Sequence, residues 1–85
     1  MVKKIVIPHG SVFKLRTLSE IQRTASGFKS RIQIQKGKVA ADAKSFIELV
    51  ALLDAKDKKL EITADGEDAQ EAVRTLLDLA VHGTS

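Results

Sequence analysis

The order in which two kinds of apolar periodicity alternate along the chain constrains its fold most. Some segments place apolar residues at every second position, as strands do, and others place them every three or four positions, as on one face of a helix. The two kinds follow each other as strand, helix, strand, strand, helix, strand, helix. Helices lying between strands that also form a hairpin favour an antiparallel sheet with its helices on one side.

The predicted strands share the period-two pattern and are Val2–Ile7, Arg31–Lys36, Val39–Asp42 and Lys59–Asp65. Ile32 and Ile34 fall on one face of the second strand, and Leu60 and Ile62 fall on one face of the last. Gly37, between two lysines, marks the turn of a hairpin that joins the second and third strands.

The predicted helices share an apolar stripe and are Leu15–Ser26, a segment from Ser45 to Leu53, and a segment from Asp68 to Ala80. In the first, Leu15, Leu18, Ile21 and Ala25 form the stripe, and Gly27 is placed to end the helix. Each helix also begins near a polar residue followed three positions later by Glu, which is typical of a capping box. The three pairs are Thr17 with Glu20, Ser45 with Glu48, and Asp68 with Glu71.

These elements predict an α+β fold, a two-layer open-faced β-sandwich ordered β-α-β-β-α-β-α. Its four-stranded antiparallel sheet carries three helices on one face, and residues 1–85 form a single domain. The middle helix is apolar over more than one stripe, with Phe46, Ile47 and Val50 among its residues. Because one sheet face cannot cover all of them, we expect an exposed apolar patch that binds a partner.

The composition argues against a catalyst. The 85 residues contain no cysteine, which excludes disulfides and thiolate metal sites, and only two histidines, His9 and His82. Two isolated histidines do not predict a metal site, and no phosphate-binding glycine loop is present. We therefore expect neither an enzyme nor a cofactor. The apolar runs are too short to span a membrane, and the first residues lead straight into a strand, so a cytoplasmic location is expected.

Charge is unevenly divided between the two halves of the chain. Residues 1–44 hold ten Lys/Arg and two acidic residues, a net charge of +8. Residues 45–85 hold four Lys/Arg and nine acidic residues, a net charge of −5. The basic half fits an acidic protein surface, a phosphate-bearing ligand or nucleic acid, or simply a mixed, solvated surface. Nucleic acid is disfavoured because the chain has three Phe and no Tyr or Trp for base stacking.

Three strings in shared register resemble one protein family. They are Thr24-Ala25-Ser26, Ala43-Lys44-Ser45 and the run from Gly66 to Ala72. Together with the length and the order of elements, they resemble the histidine-containing phosphocarrier protein of the bacterial sugar phosphotransferase system, HPr. The resemblance extends over nearly the whole chain and implies the fold predicted above.

The chain departs from this family at the phosphate-carrying position. The family's motif, Gly-x-His-Ala-Arg-Pro-Ala, falls on residues 12–18, where only Arg16 matches. Lys14 takes the histidine position, and Val12 and Thr17 take those of the glycine and proline. A phosphate acceptor needs a nitrogen lone pair near neutral pH, which imidazole offers and a lysine ammonium, with an ordinary pKa of about 10.4, does not. The resemblance therefore implies a protein that has lost the carrier role.

Two alternatives for this region stay open. His9, five residues before Lys14, or an activated Lys14 would be a non-standard acceptor that preserves phosphate transfer. Lys14 and Arg16, where the family has a helix N-terminus, would favour a bound phosphate or sulfate without any transfer.

The resemblance also implies a docking surface and a regulatory site. Ser45 matches the serine that a dedicated kinase phosphorylates in many relatives, although a serine at this place is also an ordinary N-cap. Phe46, Ile47 and Val50 match the family's apolar docking patch, with Arg23 as part of a basic rim. Partners implied by the resemblance are a phosphotransferase-system enzyme, HPr kinase or a transcription regulator. The predicted function is regulatory docking, with phosphate carriage or nucleic-acid binding as alternatives.

Overall fold

The strands and helices follow one another in the predicted order. The structure, a computed structural model, describes residues 1–7, 15–54 and 59–82. The strands are β1 (Val2–Ile7), β2 (Arg31–Lys36), β3 (Val39–Asp42) and β4 (Leu60–Asp65). The helices are α1 (Leu15–Ser26), α2 (Phe46–Val50), continued by a 3₁₀ segment (Ala51–Asp54), and α3 (Ala69–His82).

The four strands form one antiparallel sheet in the order β1-β4-β2-β3. In the central strand β4, Ile62 lies opposite Ile5 on one side and Ile34 on the other. Gly37 has a φ of 62°, a left-handed conformation that glycine adopts without strain, and it turns β2 into β3 as predicted. The sheet thus places β1 and β3 at its two edges.

One face of the sheet carries the helices and the core. Helices α1 and α3 pack against each other, α3 lies on β1 and β4, and α2 with the 3₁₀ segment lies against α1 and β3. The strand residues directed at the helices are buried, and they are Ile32, Ile34, Ala41, Leu60, Ile62 and Ala64. The predicted alternation in β2 and β4 and the α+β open-faced sandwich are therefore confirmed.

Helix α1 begins at Leu15, two residues before Thr17, which the predicted capping box would make the N-cap. The first helical residue is Leu15, so Thr17 lies inside the first turn and is buried, with 5% of its surface exposed. Leu15 was predicted to belong to the core stripe, but it is 56% exposed. The predicted bounds Leu15–Ser26 are confirmed, but the cap at Thr17 was wrong because the helix begins two residues earlier. The expected burial of Leu15 was wrong because the buried face is centred on Leu18 and Ile21 and takes in Thr17 rather than Leu15.

Helix α2 is shorter than predicted. The α-helical hydrogen bonds end at Val50, and Ala51 donates its N–H to the carbonyl of Glu48, three residues back. The chain then continues as a 3₁₀ segment, which has about three residues per turn. This spacing places Leu52 one turn after Leu49, and both are fully buried. The prediction of one regular helix from Ser45 to Leu53 did not distinguish these two helix types.

The Asp68 carboxylate links two connections that lie far apart in sequence. It accepts hydrogen bonds from the backbone N–H of Lys29, at 2.8 Å, and of Ser30, at 3.0 Å, and from the Ser30 hydroxyl. Asp68 was predicted to cap α3 with Glu71, and it does directly precede Ala69, the first helical residue, with its carbonyl accepting from the Ala72 N–H at 2.9 Å. The bonds of its carboxylate also tie the start of α3 to the start of β2. Gly66 makes room for this contact, because a Cβ there would lie 2.7 Å from Ser30 Cα.

These hydrogen bonds, the Ser30 hydroxyl foremost, lower the pKa of Asp68. A carboxyl whose pKa is lower in the folded state contributes stability above its unfolded pKa of about 3.9, and that stability is lost as pH falls through the folded value. We therefore expect Asp68→Asn to be less stable than wild type at neutral pH. The difference between their urea midpoints should shrink from pH 7 to about pH 3.

The matched control is Glu67→Gln, which removes an exposed carboxylate one residue away. It should leave the urea midpoint nearly unchanged at both pH values. If the difference between the urea midpoints of Asp68→Asn and wild type stayed constant from pH 7 to about pH 3, the role given to the ionised carboxylate would be contradicted.

Candidate functional site

Helices α1 and α2, which pack against each other, both carry exposed apolar side chains. Ile47 is 85% exposed, Leu15 is 56% exposed and Phe46 is 39% exposed, although all are large hydrophobic residues. Val50, one turn after Phe46, is partly buried. We call the surface formed by Leu15, Arg16, Arg23, Phe46, Ile47 and Val50 the α1–α2 surface. A cluster of this kind fits the expectation that the middle helix has more apolar residues than the sheet covers.

Gln22 fixes how the two helices meet. Its side-chain amide donates hydrogen bonds to the Lys44 carbonyl, at 3.3 Å, and to the Ser26 hydroxyl, at 3.1 Å. Residues 15, 19, 22 and 26 share one face of α1 at helical spacing. Because Gln22 reaches the residue just before the α2 cap, this face of α1 borders the start of α2. Leu15 therefore belongs to the same side of the molecule as the exposed residues of α2.

Positive charge lies next to that face on α1. Arg16 and Arg23 are exposed, seven residues apart, and so lie on a common side of the helix. Arg23 contacts Glu20 at 3.6 Å, an exposed pair that is worth little. The first turn of α1 has no acidic residue, so Arg16 adds to the positive end of the helix dipole. The apolar residues thus have a basic border that suits an acidic partner.

Ser45 is the N-cap of α2. Its backbone is extended, with φ −113° and ψ 110°, and its hydroxyl accepts a long hydrogen bond of 3.4 Å from the N–H of Glu48. The predicted cap is therefore confirmed, but the second half of the box is not formed as predicted. The Glu48 carboxylate instead accepts from the backbone N–H of Asp42, at 3.1 Å, because β3 ends beside it. Ser45 is partly exposed.

The structure brings together six of the residues that the sequence singled out and leaves two unplaced. Arg16 and Arg23 lie on α1, and Ser45, Phe46, Ile47 and Val50 lie on or at the start of α2. Lys14 and His9 fall outside the described residues, and His82 is the last residue of α3.

Two features of this site were not predicted from the sequence. Leu15 was placed on the apolar stripe of α1, and the bridge from Gln22 to Lys44 has no periodic signal because it joins residues 22 apart. Lys44 is itself held in place, since its ammonium donates to the Phe28 carbonyl at 2.8 Å.

Two features are absent from the part of the chain that the structure describes. Among residues 1–7, 15–54 and 59–82, no three His, Cys, Asp or Glu side chains are grouped so as to hold a metal ion. No helix in these ranges has the length and apolar character needed to cross a bilayer.

The sequence matches a known family over residues 1–81, and that family is described as the PTS HPr component phosphorylation site. The phosphocarrier protein HPr of Neisseria meningitidis is 38% identical over 64 residues, which cover 75% of this chain and 72% of the relative. The phosphoryl donor subunit DhaM of a PEP-dependent dihydroxyacetone kinase from Providencia stuartii is 29% identical over 77 residues. That match covers 91% of this chain and 16% of the subunit.

Solved structures give the same result for the fold. HPr-C-His from Thermoanaerobacter tengcongensis superposes with a TM-score of 0.78 at 28% identity, covering 92% of this chain and 90% of the other. A histidine-containing phosphocarrier protein from Mycoplasma also reaches a TM-score of 0.78, at 26% identity, and the match covers 93% of this chain and 97% of the other. The open-faced sandwich described above is thus also the fold of phosphocarrier proteins.

Proposed function

This chain belongs to the HPr family of the bacterial sugar phosphotransferase system, and from that premise we propose that it acts by docking onto protein partners rather than by carrying phosphate. The observation that carries the proposal is the α1–α2 surface, with its exposed Ile47 and Leu15 beside two arginines. We propose that residues 1–85 act as one unit in the cytoplasm.

The first part of the proposal is that the phosphate-carrying position is occupied by Lys14. The register rests on Arg16 and on Thr24-Ala25-Ser26, which match the family without a gap. An ammonium nitrogen has no lone pair with which to attack a phosphoryl group, whereas imidazole has one near neutral pH. In this proposal Lys14 is a fixed positive charge that joins Arg16 in attracting an anion, either phosphate or a carboxylate of the partner.

The second part is that the α1–α2 surface holds the partner. Ile47 is 85% exposed on α2, and burying such a side chain is worth about 1.5–3 kcal/mol. Arg16 and Arg23 border it and would accelerate association with an acidic surface. The partner classes follow from the family: a phosphotransferase-system enzyme, HPr kinase or a transcription regulator.

The names of the relatives favour one alternative. They are phosphocarriers and a phosphoryl donor subunit, which supports a retained transfer role through a non-standard acceptor. His9 or an activated Lys14 would be that acceptor. Docking and transfer use the same surface in this alternative, so a binding experiment alone does not separate them.

We expect Ile47→Asp to weaken binding to the general phosphotransferase enzyme by at least about tenfold, because a charge would replace an exposed apolar anchor. Since Ile47 is 85% exposed, the free energy of unfolding should change by no more than about 0.5 kcal/mol. Isothermal titration calorimetry gives the affinity and urea denaturation gives the stability.

The matched control is Val81→Asp, an exposed valine on α3, and it should bind as wild type does. Equal affinities of wild type and Ile47→Asp, or no binding by wild type, would contradict docking through this surface to that enzyme.

We expect HPr kinase to phosphorylate Ser45 in the presence of ATP. Ser45 is partly exposed and its hydroxyl makes a long 3.4 Å bond to Glu48, so releasing it from the cap costs no more than about 1 kcal/mol. Intact mass should rise by one phosphoryl group in wild type and not in Ser45→Ala, which should also lose about 1 kcal/mol of stability as a cap. Phosphorylation that persists in Ser45→Ala, or none in wild type, would refute a regulatory role for this serine.

A further inference from the structure

Strand β1 is an edge of the sheet whose outward hydrogen-bonding groups can be assigned. Gly66 donates its N–H to the Met1 carbonyl at 2.8 Å, and the register pairs Val2 with Asp65 and each following residue in turn. In an antiparallel pair, hydrogen bonding to one neighbour alternates from residue to residue. Lys3, Ile5 and Ile7 therefore bond to β4. The N–H and C=O groups of Val2, Lys4 and Val6 point away from the sheet.

A shallow groove runs along this edge between β1 and α3. Ile5, Val73 and Leu77 form its apolar floor, and Lys3, Arg74 and Gln70 stand at its sides. Its volume is about 300 Å³, enough for side chains of one extended segment rather than for a globular ligand. Ile5 and Leu77 are only partly buried against the core, so they retain apolar surface to cover.

The groove is positively charged. Arg74 is exposed and Lys3 is partly exposed. Within the described ranges, neither of them takes part in an ion pair. Lys4, on the opposite face of β1, contacts Glu61 at 3.4 Å. An added strand that carries acidic residues would give Lys3 and Arg74 the ion-pair partners that no described residue supplies.

We propose that the β1–α3 groove binds an extended acidic segment of another protein, which adds to the sheet as a fifth strand beside β1. Its backbone pairs with Val2, Lys4 and Val6. Side chains at alternate positions of the segment face α3. An apolar one among them covers Ile5 and Leu77, and acidic ones on either side of it meet Lys3 and Arg74. This proposal does not depend on the α1–α2 surface.

A second copy of this chain fits the edge poorly. A symmetric antiparallel pairing that uses the outward groups of Val2, Lys4 and Val6 would set Lys4 directly opposite Lys4. Like charges directly opposite each other destabilise a strand pair, and lysines on an edge strand oppose self-association. The charge of the groove therefore selects an acidic segment over a copy of itself.

The probe for this proposal is a fluorescein-labelled peptide of sequence TETVTET, whose glutamates and valine share one face of a strand. Its binding is followed by fluorescence anisotropy and by NMR of the ¹⁵N-labelled protein. We expect saturable binding that slows hydrogen exchange at the amides of Lys4 and Val6 and leaves exchange at Ile5, already bonded to β4, unchanged. The peptide with its acidic residues changed to lysine should not bind. Nor should the acidic peptide with N-methyl groups on its pairing amides.

Two variants test the two parts of the contact. Arg74→Glu should lower the affinity for the peptide by at least about fivefold, because it reverses a charge of the groove. Arg23→Glu on α1 should leave that affinity unchanged. Val6→Pro removes an outward N–H without breaking the bonds to β4 and should abolish binding, whereas Val6→Ala should keep it. Urea midpoints establish that each variant is folded.

Equal affinities of the acidic peptide with and without N-methyl groups, or an affinity unchanged by Arg74→Glu, would overturn the proposal. It would also be overturned if the peptide did not bind, or if it slowed amide hydrogen exchange only in α1 and α2. A doubling of mass by sedimentation without peptide, abolished by Val6→Pro, would assign the edge to a second copy and would likewise overturn it.

Discussion

Burial of only one face of the sheet is the constraint on which the rest of this structure depends. Apolar residues at alternate positions of β2 and β4 require cover, and three helices on that side supply it. Among residues 1–7, 15–54 and 59–82, no helix covers the other face and no further strand pairs with β1 or β3. With so few elements, the short α2 cannot bury all of its apolar residues, so Phe46 and Ile47 stay at the surface. The exposed surface that we assign to docking is thus a consequence of how the core is built.

Most of the fold could be predicted from periodicity, because burial imposes it directly. Strand β2 and helix α3 lie where the alternation and the apolar stripe placed them. Contacts between different elements were not predicted. The Asp68 carboxylate bonds to Ser30 in addition to its predicted place at the start of α3, and Glu48 reaches Asp42 at the end of β3. Local sequence patterns carry no information about such partners.

The candidate site was predicted less completely than the fold. Ile47 and Ser45 were identified through family resemblance, and the structure places them at the start of α2. Leu15 was misassigned because an apolar residue at the correct helical spacing was taken as core, although a neighbouring threonine is buried instead. The role of Lys14 rests on sequence register and on the chemistry of nitrogen nucleophiles. These two lines lead to the same expectation: the protein has kept the family's docking side and replaced its phosphate acceptor.

The most direct test of this account is transfer of phosphate to the protein itself. It would be incubated with phosphoenolpyruvate and the general phosphotransferase enzyme, beside an ordinary HPr, and its intact mass would be read at neutral pH. The account predicts an unchanged mass for this protein while the ordinary HPr gains one phosphoryl group. A gain of one phosphoryl group, located on His9 or Lys14, would contradict it and would establish the protein as a carrier with a new acceptor.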